Sequence, residues 1–225
     1  VREEGVIDVF ENEGKRGGAY SWGTYGTRPC IMLNYTEELN DVFTLAHELG
    51  HSMHSYYSNK EQSYATHNYT IFVAEVASTF NEHLLLDLLL KNTKDKNERI
   101  YILQQAIDGL IATYYRQTLF ADYELQVHQI AEKGGAITAE VLNGIMEELY
   151  KEYYGIDISI EGNKHSVWAR IPHFFHSPFY VYQYATSYAA SSKIYRDIKE
   201  AEENEKEEKI GKFINLLKSG GNADP

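Results

Sequence analysis

Two histidines four residues apart, with a glutamate directly after the first, constrain this chain more than any other feature. They form the run His47-Glu48-Leu49-Gly50-His51. Two imidazoles at that spacing meet at one point only on helical backbone, where residues i and i+4 share a face. The surroundings agree. Val42, Leu45, Ala46, Leu49 and Met53 recur at helical spacing, and Asn40-Asp41 offers a cap just before them.

The chemistry of this pattern is specific. Two neutral imidazoles on one face can hold a divalent ion, and Glu48 projects beside them as a base for a metal-activated water. A catalytic zinc site takes three protein ligands and keeps one position open. A histidine-rich continuation would need Gly at 54 and His at 57, but the chain has His54 and Tyr57. The third ligand is then expected from a following helix. Glu75 suits it, because its neighbours Phe72, Val73, Ala74, Val76 and Ala77 are apolar and place a carboxylate on a buried face. An unpaired buried carboxylate is costly, and an ion removes that cost. The segment 58–67 gives the chain room to turn back, so His47, His51 and Glu75 are the predicted ligands of one Zn2+. Two His and one Glu favour zinc without excluding manganese or cobalt. Glu82 follows on the same face and is a candidate to orient a ligand, or else a solvent-side acid.

The other candidate groups read more plainly. His54 and His128 are expected as packed structural histidines, His54 with its ring nitrogens satisfied. His67, His83 and His165 are expected at the surface, and Cys30 as a small core residue. One cysteine allows no internal disulfide. With 21 basic and 33 acidic residues the net charge is -12, which argues against a nucleic-acid partner. No apolar run suits a bilayer span; Leu84–Leu90 is broken by Asp87. The opening Val-Arg-Glu-Glu lacks a signal-peptide pattern. The lack of an initiating Met and the turn-like end suggest a piece of a longer chain.

Four prolines in 225 residues favour long helices. The Gly-rich opening to about 36 predicts two short strands, at 19–22 and 30–35, paired as a hairpin or an edge pair. Helices are expected at 69–90, 97–131 and 138–153. Ile100, Leu103, Ile107, Leu110 and Tyr114 form a stripe on the second of these. Ser177-Pro178 is read as the cap of a helix to about 200; the charged run 200–209 is read as a solvated turn or helix end, and a last helix is expected at 206–217. The expected fold is mainly α, a helical zincin-type catalytic lobe with a small β element near the N-terminus. Residues 1–225 are expected to form a single domain.

With these segments in view, the chain resembles the catalytic region of the oligoendopeptidase F family, within the thimet-oligopeptidase-like zinc metallopeptidases. The segments carrying the resemblance are Gly14–Ser21, Asp41–Tyr57, Glu75–Glu82 and Pro172–Ala185. The resemblance implies a cytoplasmic endopeptidase acting on oligopeptides, with zinc on His47, His51 and Glu75 and Glu48 as general base. It implies a second helical lobe from N-terminal sequence outside these residues, without which this piece alone could be inactive. It also implies that a His and Tyr residues of 173–184 contact substrate and stabilise the oxyanion, with a phenol as donor. His173 is preferred over His176. Tyr180 and Tyr182 both remain candidates, since Tyr180 shares a predicted helix face with Tyr184 and Tyr182 does not. Two rival readings stand beside peptide hydrolysis: a peptide-binding module without turnover, and a zinc hydrolase of a non-peptide amide or ester.

Overall fold

The computed structural model describes residues 5–155 and 164–222. They divide into two compact units, one formed by Val1–Gly109 with Thr186–Pro225 and one by Leu110–Ala185. The sequence's opening and closing residues lie outside the described set, and so do the expectations attached to them. Among the described residues no helix is long and apolar enough to cross a membrane.

The first unit begins with a small sheet of β1 (Ile7–Asp8), β2 (Tyr20–Trp22) and β3 (Cys30–Met32). β3 lies in the middle, parallel to β1 and antiparallel to β2, with Ser21 opposite Ile31. The expected strand pair is present. β1 is additional, since two residues carry no readable alternation. Ile31 and Leu33 point into the core, whereas Cys30 is exposed. Alternation along β3 decides this: if Ile31 faces inward, Cys30 faces outward.

Helix α1 runs Leu39–Glu61 and α2 Ile71–Asn92. The cap of α1 is Glu38, not Asn40-Asp41. Asp41 instead reaches back from the first turn, and its carboxylate accepts from the backbone N–H groups of Thr36 and Glu38 at 2.7 and 3.2 Å. Helix α1 crosses α2 at Gly50. A Cβ on Gly50 would lie 2.4 Å from the Ala77 carbonyl oxygen and 2.5 Å from the Ser78 Cα. Only a glycine lets the two backbones approach this closely.

Helix α3 (Lys96–Leu110) is tied to the rest of its unit mainly by polar contacts. Arg99 donates to the carbonyls of Leu90 and Thr93, and Gln105 donates to Asn40. Ile102 is its one buried side chain. The stripe read from the sequence does lie on a helix, and it faces outward: Ile100 is 54% exposed, Leu103 44% and Ile107 50%. Periodicity finds an apolar face without saying what covers it. The predicted long helix is also broken into three, because a π-helical turn at Ile111–Tyr115 separates α3 from α4 (Arg116–Glu132).

In the second unit α4 packs on α5 (Ala139–Tyr154), and α5 in turn packs on a 3-10 turn at Lys164–Arg170. Their core contains Leu119, Phe120, Tyr123, Met146, Leu149 and Val181. Thr138 caps α5, its hydroxyl accepting from the Val141 N–H at 3.3 Å. The short helix α6 (His173–His176) follows, then α7 (Tyr182–Lys199). Ser177-Pro178 does not open α7. Ser177 ends α6, and Phe179 at φ 58° is left-handed, which no α-helix can include.

The first unit is closed by the later part of α7 and by α8 (Glu203–Lys218). The charged residues 203–209 form the first turns of α8, which starts at Glu203 rather than near 206. Below α2, Val76, Ala77 and Phe80 pack with Phe213 and Leu217, the rings of Phe80 and Phe213 stacking at 4.1 Å. Burying side chains of this size contributes roughly 1.5–3 kcal/mol each. That packing fixes α2, and with it Glu75.

Candidate metal centre

One ligand atom from each of three side chains converges at the crossing of α1 and α2. His47 Nε2 and His51 Nε2 lie 3.1 Å apart, and Glu75 Oε2 is 3.1 Å from the first and 3.4 Å from the second. A tetrahedral ion with bonds of about 2.0–2.1 Å sets its ligand atoms roughly 3.3 Å apart. The three edges match that spacing, so the donor set fits zinc in size as well as in kind. Among the described residues this is the one cluster of His, Cys, Asp or Glu suited to a metal.

Two of the three candidate ligands, His47 and Glu75, are held by neighbouring side chains. Glu82 Oε1 is 2.6 Å from His47 Nδ1, which turns Nε2 toward the centre. Ser78 donates to Glu75 Oε2 at 3.0 Å, leaving that carboxylate buried and oriented. Thr79 ties the helix to α7, its hydroxyl 2.7 Å from that of Ser191. Burial lowers the pKa of His47, but hydrogen bonds to Glu75 and Glu82 outweigh it and hold the imidazole up to about 10. Burial works against the charged form of Glu75 too. The two histidines more than offset it and hold the carboxyl well below the usual carboxylate range. Truncating a group that orients a ligand typically costs 10–100-fold in metal affinity. Glu82→Ala is expected to weaken zinc binding by about that factor, measured by competition with a chromophoric chelator.

Glu48 lies beside this triangle and is 6% exposed. Its Oε2 has no hydrogen-bond partner. Burial pushes the carboxyl up, while His47 and His51 pull it down. An acceptor oxygen held dry and unpartnered is suited to taking a proton. On the β2 side, Ser21 shares a 2.8 Å hydrogen bond with Ser52, anchoring the strand to α1.

The remaining histidines differ from expectation in three places. His54 is fully buried and stacks on Tyr69 at 3.6 Å, but neither ring nitrogen has a partner. His83 is not at the surface: it is half-buried against Tyr188 and Tyr195, with Ser192 Oγ 3.0 Å from Nε2. His67 is half-buried, its Nδ1 2.7 Å from the Tyr64 carbonyl. His128 packs as expected, its ring 4.4 Å from that of Phe179.

Within the second unit, His173 and Tyr180 have ring centroids 5.3 Å apart. Tyr184 meets both, with its hydroxyl 3.3 Å from His173 Nε2. His176 is exposed at the end of α6, and Tyr182 is 41% exposed. The structure thus groups His173 and Tyr180 with Tyr184, which was not singled out. Two other residues were missed. Gly50 had one signal, a lone glycine inside a helix. Glu124, buried in α4, had none.

The chain matches the profile of peptidase family M3 across residues 1–225. It belongs to peptidase family M3. This M3 chain is 45% identical over 223 residues to the oligopeptidase PepF of Bacillus subtilis, covering 97% of its own length and 32% of the relative. It is 45% identical to an oligoendopeptidase F homolog of Borreliella burgdorferi, covering 99% of its own length and 37% of that protein. The crystal structure of oligoendopeptidase-F from Enterococcus faecium superposes with a TM-score of 0.65 at 38% identity, covering 81% of this chain and 32% of that one. The M3 chain therefore spans about a third of the length of these relatives.

Proposed function

We propose that this chain is the zinc-holding catalytic domain of an endopeptidase that hydrolyses peptide bonds in oligopeptides. The observation that carries the reading is the triangle of His47, His51 and Glu75 with the unpartnered Glu48 oxygen beside it. Family membership and the relatives named oligopeptidase and oligoendopeptidase supply the substrate class. In this reading residues 1–225 act as one domain, located in the cytoplasm, and the rest of a longer polypeptide supplies a second lobe.

His47, His51 and Glu75 hold one zinc ion. When bound, that ion supplies Lewis acidity for the scissile carbonyl and lowers the pKa of an adjacent water toward about 7. Glu48 Oε2 accepts the proton of the attacking water. It then returns that proton to the nitrogen of the leaving amine, so one carboxylate serves both halves of the reaction. Glu82 and Ser78 keep the ligands in register. His173 and Tyr180 are assigned to the substrate, with the Tyr180 hydroxyl as the donor for developing oxyanion charge. Tyr182 and His176 are the second choices for these two roles.

The test uses the full-length polypeptide that contains this chain and a quenched fluorescent oligopeptide. Removing metal with a chelator is expected to abolish cleavage, and one equivalent of zinc to restore it. Cleavage that survives complete metal removal would overturn the proposal. So would a metal-replete protein that cleaves an ester or non-peptide amide but no peptide, or that binds peptide without turnover.

A further inference from the structure

Residue 179 is a phenylalanine in a conformation that favours glycine. Among the described residues only Glu37 and Phe179 are non-glycine residues at positive φ, and Phe179 sits at 58°. A bulky residue stays there only when its surroundings over-determine it. Three side chains do so. Glu124, 3% exposed on α4 among Leu119, Phe120 and Tyr123, accepts the Phe179 N–H on Oε1 at 2.6 Å. Gln183 on α7 donates to the Phe179 carbonyl at 3.4 Å. His128, one turn beyond Glu124, lies 4.4 Å from the Phe179 ring, and its Nδ1 is 2.8 Å from the Glu124 carbonyl.

The next residue is Tyr180. Its own N–H closes a turn onto Ser177 at 3.2 Å, and its ring meets His173 and Tyr184. Fixing the Phe179 peptide therefore fixes the direction in which Tyr180 leaves the turn. A buried carboxylate is an expensive way to satisfy one N–H, and a charge-assisted bond is correspondingly strong and short.

We propose that Glu124 is a positioning residue for Tyr180, holding the left-handed Phe179 so that the Tyr180 hydroxyl is pre-oriented for oxyanion charge. The inference rests on the peptidase reading, and specifically on Tyr180 as the donor.

A double-mutant cycle in the full-length, zinc-loaded polypeptide tests it, with a quenched peptide substrate. Glu124→Ala is expected to lower kcat about 10–100-fold with KM within about twofold and unchanged zinc content, and Tyr180→Phe to do at least as much. The double variant is expected to be no worse than Tyr180→Phe alone, because Glu124 acts through that hydroxyl. Glu124→Gln keeps an acceptor oxygen and is expected to recover most of the loss. If Glu124→Ala does not fold, the cycle is run with Gln183→Leu, which removes the donor to the Phe179 carbonyl, and the same non-additivity is expected. Additive losses would overturn the positioning role and leave the peptidase reading intact. Full activity in Tyr180→Phe would defeat the assignment of Tyr180, and the proposal with it.

Discussion

Glu48→Gln is expected to lower kcat for oligopeptide cleavage by roughly 10²–10⁴ while zinc remains bound at one equivalent. The two effects separate because Glu48 is not among the three converging ligand atoms. Glutamine preserves the shape of the side chain and an oxygen near the Oε2 position, so packing around this buried group changes little. What it removes is the ability to take and return a proton. KM is expected to stay within a few-fold, since the carboxylate's role grows as the proton moves rather than as the peptide binds. Metal analysis and steady-state kinetics on the same preparation check both halves. A variant that keeps its zinc and its kcat would remove Glu48 from the chemistry.

The second large effect is expected at Gly50, which holds no metal and touches no substrate in this reading. Alanine is a better helix former than glycine by about 1 kcal/mol, so propensity alone predicts stabilisation. The added methyl would lie 2.4 Å from a carbonyl oxygen and 2.5 Å from a Cα, both backbone atoms of α2. Backbone cannot rotate away as a flexible side chain can. Overpacking of a tight contact typically costs 1–3 kcal/mol, and a clash with backbone falls at the upper end of that range or beyond. The clash wins, and Gly50→Ala is expected to destabilise the chain by about 2 kcal/mol net. The relief available is separation of α1 from α2, which stretches the His47–Glu75 and His51–Glu75 edges. Zinc affinity is therefore expected to fall about 10–100-fold, by analogy with other perturbations of ligand placement. Thermal melting with and without metal, together with chelator competition, reads both. Unchanged melting and affinity would show that the crossing is looser than the backbone distances imply.

The candidate metal centre was legible because its signal is local and periodic. His47 and His51 announce a helix face by spacing alone, and Glu75 declares itself as an acid in an apolar run. The close fit of the three edges follows from Gly50, Ser78 and Glu82, whose roles appear only once two helices are laid across each other. The fold's main elements were legible for the same reason, and the misreadings share a cause. The stripe of Ile100, Leu103 and Ile107 is truly periodic, but periodicity is a property of one helix and burial a property of two. Ser177-Pro178 has the composition of a helix start. The left-handed Phe179 that defers the start to Tyr182 is held by the nearby Gln183 and by Glu124, which is distant in sequence. His54 reads as an ordinary packed histidine, and no local pattern reveals that its ring nitrogens go without partners.

The first unit is built from both ends of the chain, and that has a consequence for how the centre comes into being during synthesis. The three candidate ligands and Glu82 all lie between residues 47 and 82, well before α8 in the chain. The floor under α2 is finished only by Phe213 and Leu217, and Ser191 completes the tie to Thr79. A chain emerging from the ribosome thus carries the metal-binding residues long before it carries the packing that holds them in place. Pairing across so long a stretch is slow, because a large loop must close before its contacts contribute. In the proposed reading, stable capture of an ion would accordingly wait for α8 rather than for the ligands themselves. An early nascent chain that met zinc would offer it two flexible imidazoles and a mobile carboxylate, and exchange it as readily as an unstructured peptide does.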